Sequence, residues 1–417
     1  MERIYCLLAL ALCILAITPA VVDANPFGRA YENTLTVYGN ANLDEIIDEN
    51  DVEYVRGIIT STEDATQFAD ANYDGKIDED DIAQIELIIA GEEEELTILD
   101  MSNRTVTVPM PVERIISTSG YDITRTLVML DATDKIASCA FPTEGEWSPL
   151  WYAAPQLVDL PDTRGPGQGH AAGRGFNIEL AVSLDPDVIF LWSWEALNAD
   201  EIMEKSQVPT IVVGSYSDGL WAADMFRIIG AVTGKDKKAR DLINYTKEQI
   251  DEIAKITSEI PDEEKPLVYA TDGSGKITRC CGALSVVEWA GGLNAVEYSD
   301  STNIEVSKEQ VIKWNPDVIL LHFANPEKIE AVISDPVLQD VNAVKNGRVY
   351  SVRVGLGGWG TWGSQLSMIN YLAKLFHPDE FEDLDVEERN NEIMEHFYGV
   401  DGIYTDMIEE HYLYKWD

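Results

Sequence analysis

Between residues 70 and 81, oxygen-bearing side chains fall at a spacing that suits a hard divalent cation. The run is Asp70-Ala71-Asn72-Tyr73-Asp74-Gly75-Lys76-Ile77-Asp78-Glu79-Asp80-Asp81. Asp70, Asn72, Asp74, Asp78 and Asp81 occupy positions 1, 3, 5, 9 and 12 of a twelve-residue loop. The Lys76 carbonyl serves position 7, and Gly75 makes the sharp turn at position 6. Such an all-oxygen set suits calcium. Thirty residues earlier the pattern recurs as Asn40, Asn42, Asp44, Ile46 (through its carbonyl), Asp48 and Asp51. Asn at position 1 and Glu45 in place of glycine predict a lower affinity there. Each loop leads into a helix with one apolar face: Val52, Val55, Ile58 and Ile59 after the first, Ile82, Ile85, Ile88 and Ile89 after the second.

Both copies close with Asp at position 12, where an EF-hand has Glu. Paired loop-plus-single-helix repeats of this kind resemble the dockerin family, over residues 34–91. The resemblance implies a small all-α module that folds around Ca2+ and docks on a cohesin-like protein. Positions 10 and 11, Glu49-Asn50 and Glu79-Asp80, depart from the Ser-Thr pairs common in that family. The glutamates at 92–95 predict an extended acidic linker, because like charges repel.

A second set of residues suits recognition of a flat, partly anionic solute. It comprises Tyr121, Arg164, His170, Arg174, Trp192, Trp194, Tyr216, Arg279, Arg353, Trp359 and Trp362. Aromatic faces stack on planar groups, and guanidinium forks bind carboxylates. His170 is also a candidate axial metal ligand. The elements that must position them follow from Leu96 onward. LTILDMSNRTVTVP alternates like a hairpin with Ser-Asn at its turn. Short apolar runs then alternate with helical stretches: ERIISTS, DKIASCA, PDVIFLW and PTIVVG, then PLVYATD, PDVILLHF and RVYSVRV. That alternation predicts an α/β fold of two parallel-sheet lobes. One long helix, about 235–260, joins them. Its apolar side carries Ala239, Leu242, Ile243, Ile250, Ile253 and Ile256. Ligands in such sheets sit beyond the carboxyl ends of the strands, so a cleft between the lobes is expected.

The blocks VERIISTSGYDITRTLVMLDATDKIAS, FNIELAVSLDPDVIFLW, VVEWAGGLNAV and VSKEQVIKWNPDVILLH resemble the solute-binding proteins of ABC importers for ferric siderophores, haem and cobalamin. The likeness spans about residues 96–380. It implies a receptor that captures an iron or cobalt chelate and hands it to an ABC permease. It also implies one surface glutamate per lobe for docking on permease arginines. NIEL supplies Glu179 and VVEWAGG supplies Glu288.

Composition narrows the partners. The 417 residues carry 74 acidic against 30 basic side chains, a net charge of −44. Such a surface repels nucleic acid. Residues 1–24 read as a signal peptide, with an uncleaved N-terminal anchor as the alternative. Either places the chain outside the cytoplasm: secreted, on the outer membrane face, or in a periplasm-like space. Beyond that segment remain Cys139, Cys280 and Cys281, too few for a disulfide scaffold. Inert buried thiols are expected; a vicinal disulfide or a soft metal site are the alternatives. GLGGWG at 355–360 mimics a dinucleotide-binding loop, but no further strand follows to complete the unit, so an enzyme is not expected. The expected order is the signal peptide, the calcium module at 34–91, the linker at 92–95, an N-terminal lobe at 96–234, the joining helix at 235–260, and a C-terminal lobe with acidic helices at 261–417. The alternative function is a calcium-dependent assembly protein with the two lobes as a spacer or sensor.

Overall fold

The computed structural model describes residues 34–119, 122–142, 148–163, 176–192, 197–214, 222–282, 284–297, 304–352 and 362–416. The N-terminal segment expected as signal or anchor lies outside them. No helix among the described residues is long and apolar enough to cross a membrane.

Two helices form the N-terminal module, α1 (Glu49–Ile59) and α2 (Glu79–Ala90). Each starts from a capping box: Asp48 and Asp51 for α1, Asp78 and Asp81 for α2. These satisfy N–H groups that a helix start leaves open. Ala41, Val52, Val55, Ala69, Ala71 and Ile85 make the module's small core. Ile59 and Ile89, expected on the apolar faces, are instead exposed.

Residues 92–95 are not an extended linker. Gly91, at φ +67°, ends α2 and Glu95 already opens β1 (Glu95–Leu99). β1 pairs antiparallel with β2 (Thr105–Pro109), the hairpin expected from the sequence. The chain just before the first loop runs along the other side of β1. Tyr38 N–H donates to the Thr97 carbonyl at 2.9 Å, and Leu99 N–H donates to the Thr36 carbonyl at 2.8 Å. Leu35 and Val37 thereby enter the main hydrophobic core. The module is therefore continuous with the lobe.

The N-terminal lobe contains β3 (Ile115–Ser117), α3 (Ile123–Met129), β4 (Ile136–Cys139), α4 (Leu150–Ala153), α5 (Ile178–Ser183), β5 (Val188–Trp192), α6 (Ala199–Ser206), β6 (Thr210–Val213) and α7 (Ala222–Thr233). Its sheet is parallel, in the order β4-β3-β5-β6. All four strands are the runs anticipated from the sequence.

The joining helix is α8 (Asp236–Thr257). Ala239, Leu242, Ile243, Ile250 and Ile253 are buried along it as expected, whereas Ile256 is exposed. The C-terminal lobe adds β7 (Leu267–Ala270), β8 (Arg279–Cys280), α9 (Ser285–Trp289), β9 (Leu293–Asn294), β10 (Ile304–Glu305), α10 (Lys308–Trp314), β11 (Val318–His322), α11 (Pro326–Ile333), α12 (Asn342–Lys345) and β12 (Val349–Val352). Its main sheet is parallel, in the order β12-β11-β7-β9. The short β8–β10 pair was not legible in the sequence; two-residue strands carry no periodicity.

Three helices close the chain: α13 (Trp362–Phe376), α14 (Val386–Tyr398) and α15 (Ile403–His411). α13 packs against α8, and α14 meets it where Tyr245 stacks on His396 with ring centroids 3.8 Å apart; α15 packs on α14.

Candidate functional site

The carboxyl ends of both parallel sheets carry polar, buried side chains. In the N-terminal lobe β3 runs into Thr118 and Ser119. Ser119 Oγ donates to Asp122 Oδ2 at 3.3 Å, while Asp122 Oδ1 has no hydrogen-bond partner among the described residues. Burial pushes the Asp122 carboxyl up to about 7, against the pull of the nearby Arg125. Arg125 is wholly buried, and its Nη2 donates to Ser148 Oγ at 3.2 Å.

In the C-terminal lobe β7 runs into Thr271 and Asp272, and β11 ends at His322. His322 N–H donates to Thr271 Oγ1 at 2.9 Å, which locks the two strand ends together. Asp272 is buried and its Oδ2 lies 2.9 Å from Arg279 Nε. The sequence reading passed over Asp122, Arg125, Asp272 and His322. Their one signal was position: each is a strand-end or first-turn residue in an otherwise apolar block.

Of the residues expected to line the cleft, Trp192 and Arg279 lie among the described residues, and Trp192 differs from expectation. Trp192 belongs to the core: it is buried at the end of β5. Its ring fills the space left by Gly214, where an added Cβ would come within 2.1 Å. Arg279 is partly exposed and ion-paired with Asp272. The backbone of Trp362 starts α13. Tyr121, Arg164, His170, Arg174, Trp194, Tyr216, Arg353 and Trp359 lie outside the described residues, as does GLGGWG.

Cys139, Cys280 and Cys281 are buried thiols. Burial pushes Cys281 up to about 12 and also raises Cys280, so neither forms thiolate readily.

Glu179 is exposed in the first turn of α5, whose start is capped by Asn177. Glu288 is exposed on α9, and its Oε1 accepts from Asn294 Nδ2 at 3.0 Å. The fold thus presents one of these carboxylates on each lobe.

Residues 116–353 match the periplasmic binding protein family. The chain belongs to that family. Among curated relatives, the molybdate-binding protein MolA of Haemophilus influenzae is 24% identical over 331 residues, covering 72% of this chain and 90% of MolA. An uncharacterised ABC transporter substrate-binding lipoprotein of Bacillus subtilis, YvrC, is 26% identical over 305 residues, covering 69% and 87%. Among solved structures, an ABC transporter solute-binding protein from Sulfurospirillum deleyianum superposes with a TM-score of 0.60 at 22% identity, covering 76% of this chain and 99% of that one. This periplasmic binding protein is accordingly a solute-binding component of an ABC transporter, as the sequence implied at that level. Its relatives are binding proteins of transporters and not enzymes.

The acidic loops sit outside the matched region, and their geometry is explicit. In the second loop Gly75 adopts φ +90°. Asp70 accepts from Asp74 N–H at 3.0 Å and from Gly75 N–H at 2.9 Å, and Asp74 accepts from Lys76 N–H at 2.9 Å. Asp81 accepts from Asn72 and Asp78, at 3.2 and 2.7 Å. In the first loop Asp51 repeats that pattern with Asn42 and Asp48, at 3.1 and 2.9 Å. Asp51 and Asp81 are both wholly buried, and burial raises both carboxyls, Asp51 to about 6. Among the described residues no three His, Cys, Asp or Glu side chains converge as a metal cluster. The loop oxygens are held by the loops' own N–H groups. In the first loop, Asn40 Oδ1 is buried without a hydrogen-bond partner among the described residues, and a calcium ion would suit that acceptor. Position 1 is where a cation would need it.

Glu45 does not turn inward. Its Oε1 lies 2.6 Å from Arg227 Nη2 on α7 and 3.1 Å from Lys247 Nζ on α8.

Proposed function

We propose that this receptor captures an anionic, metal-bearing solute outside the cytoplasm and presents it to an ABC permease through Glu179 and Glu288. The observation that carries the reading is the pair of parallel-sheet lobes joined by α8, with an exposed glutamate on each. Two separate anionic posts fix the docking register and report how far the lobes have closed. An iron or cobalt chelate suits the arginines and aromatics at 164–174, Trp194 and those at 353–362. A molybdate-type oxyanion is the second reading, favoured by the relative named for molybdate. Elemental analysis of protein purified from its host separates them, since iron, cobalt and molybdenum are distinguished directly.

The N-terminal module adds a calcium dependence. Asp70, Asn72, Asp74, the Lys76 carbonyl, Asp78 and Asp81 would hold the ion in the second loop. Asn40, Asn42, Asp44, the Ile46 carbonyl, Asp48 and Asp51 would do so more weakly in the first. The ion would neutralise carboxylates that burial otherwise disfavours, and its binding free energy would add to folding. Calorimetric titration of the chelator-treated chain with calcium tests this. Heat from a saturable site supports it, and a flat trace overturns it.

A further inference from the structure

Loop position 6 is glycine in the second loop and glutamate in the first. By loop chemistry alone Glu45 is a defect. Structurally it adds a charged link from the module to α7 and α8, beside the backbone pairing with β1. Its carboxylate reaches two cations on two different helices. Arg227 is almost completely buried, with a side-chain exposure of 2%, and Asp224 is its other carboxylate partner, at 3.0 Å. Lys247 stands at the middle of the 22-residue helix that joins the lobes.

The loop around Glu45 is shaped by the residues that would hold the ion. Asn40 Nδ2 donates to the Leu35 carbonyl at 2.8 Å and to the Asp44 carbonyl at 2.7 Å. Leu35 N–H in turn donates to the Asp44 carbonyl at 3.0 Å. Asp44 directly precedes Glu45, and its Oδ1 accepts from Ile46 N–H at 2.8 Å. Glu45 is thus bracketed by two residues of the candidate ion sphere. Asp44, Asp48 and Asp51 repel one another when no cation lies between them. An open loop would withdraw Glu45 and leave the buried Arg227 with Asp224 as its one carboxylate partner among the described residues, which is less favourable.

We infer that the module is a calcium-set brace on the joining helix: ion occupancy of the loops holds Glu45 against Arg227 and Lys247, and so stiffens α8. This rests on the calcium reading above. Linkage makes the effect reciprocal, so the docked module binds calcium more tightly by the factor by which calcium tightens docking. A protein exported into a calcium-rich space would acquire the brace only after leaving the cytoplasm.

The test is amide hydrogen exchange on the full chain, in calcium and in chelator. The wild type is compared with Glu45→Gln and, separately, Lys247→Gln. In the wild type, calcium is expected to slow exchange in α1 and α2 and also, about five- to ten-fold, in the middle of α8. In either variant the module's own protection should persist while the α8 response disappears. Protection of α1 and α2 without any response in wild-type α8 overturns the brace and leaves the calcium reading intact. An α8 response that survives in both variants also overturns the brace, because another path then carries it. No calcium response anywhere overturns both.

Discussion

Glu45 and Lys247, 202 positions apart in the chain, meet with 3.1 Å between Oε1 and Nζ, and this contact ties an acidic loop to the middle of the helix joining two lobes. Glu45 also pairs, together with Asp224, with Arg227, one of the most buried charges among the described residues. Glu45→Ala should therefore destabilise the protein by about 1–3 kcal/mol, through an under-paired buried guanidinium rather than a lost surface contact. Adding Arg227→Met should recover part of that loss. Urea unfolding of both variants measures it. A Glu45→Ala effect below about 0.5 kcal/mol would make Glu45 an ordinary surface carboxylate.

Gly214 is required by both space and backbone. It has φ +90°, and a Cβ there would lie 2.1–2.5 Å from three atoms of the Trp192 ring. Gly214→Ala should lower stability by about 2–4 kcal/mol, from overpacking plus left-handed strain. Thermal unfolding shows this, and an unchanged melting temperature would mean that Trp192 moves freely.

The strands and the joining helix were legible because burial imposes a period on every residue of an element. PDVIFLW and PDVILLHF are buried on both faces and read as continuous apolar runs, and they became β5 and β11. The hairpin was legible from alternation, and its turn from Ser102-Asn103, where Asn103 takes φ +58°. Glu179 and Glu288 were singled out only through family likeness. Other features were set by neighbours far along the chain. Trp192 looked like a cleft aromatic because it ends a strand, and only the fold shows Gly214 opening the core to it. Arg279 looked like an open cation until Asp272 was seen beside it. Glu45 looked like a fault in a loop, since no local pattern encodes a partner on α7.

Asp122 gives a pH signature. Its carboxyl rises from 3.8 to about 7 on folding, because burial disfavours the charge. The folded state thus holds the proton more tightly than the unfolded state. The resulting stability is complete below pH about 4 and is lost as pH rises through 7. Asp122→Asn keeps the neutral form at every pH. Its stabilising effect should be larger at pH 8 than at pH 5, by about 1–3 kcal/mol. Equal effects at the two pH values would place an ionised Asp122 in the fold.

Glu179 and Glu288 should act on delivery and not on capture. Changing both to Ala should abolish permease-dependent uptake in cells. Retention of the co-purified solute by the variant, followed by elemental analysis, should stay within a few-fold of wild type. Uptake that persists in the double variant would remove both residues from docking.

The central claim is that the two lobes close on a metal-bearing solute. Native mass spectrometry of the protein from its own host, paired with elemental analysis of the same sample, addresses it most directly. The account predicts one solute per chain that contains iron, cobalt or molybdenum and is lost on unfolding. A bound solute without any metal, or a chain that arrives empty and gains no mass with ferric chelates, corrinoids or molybdate, would contradict it.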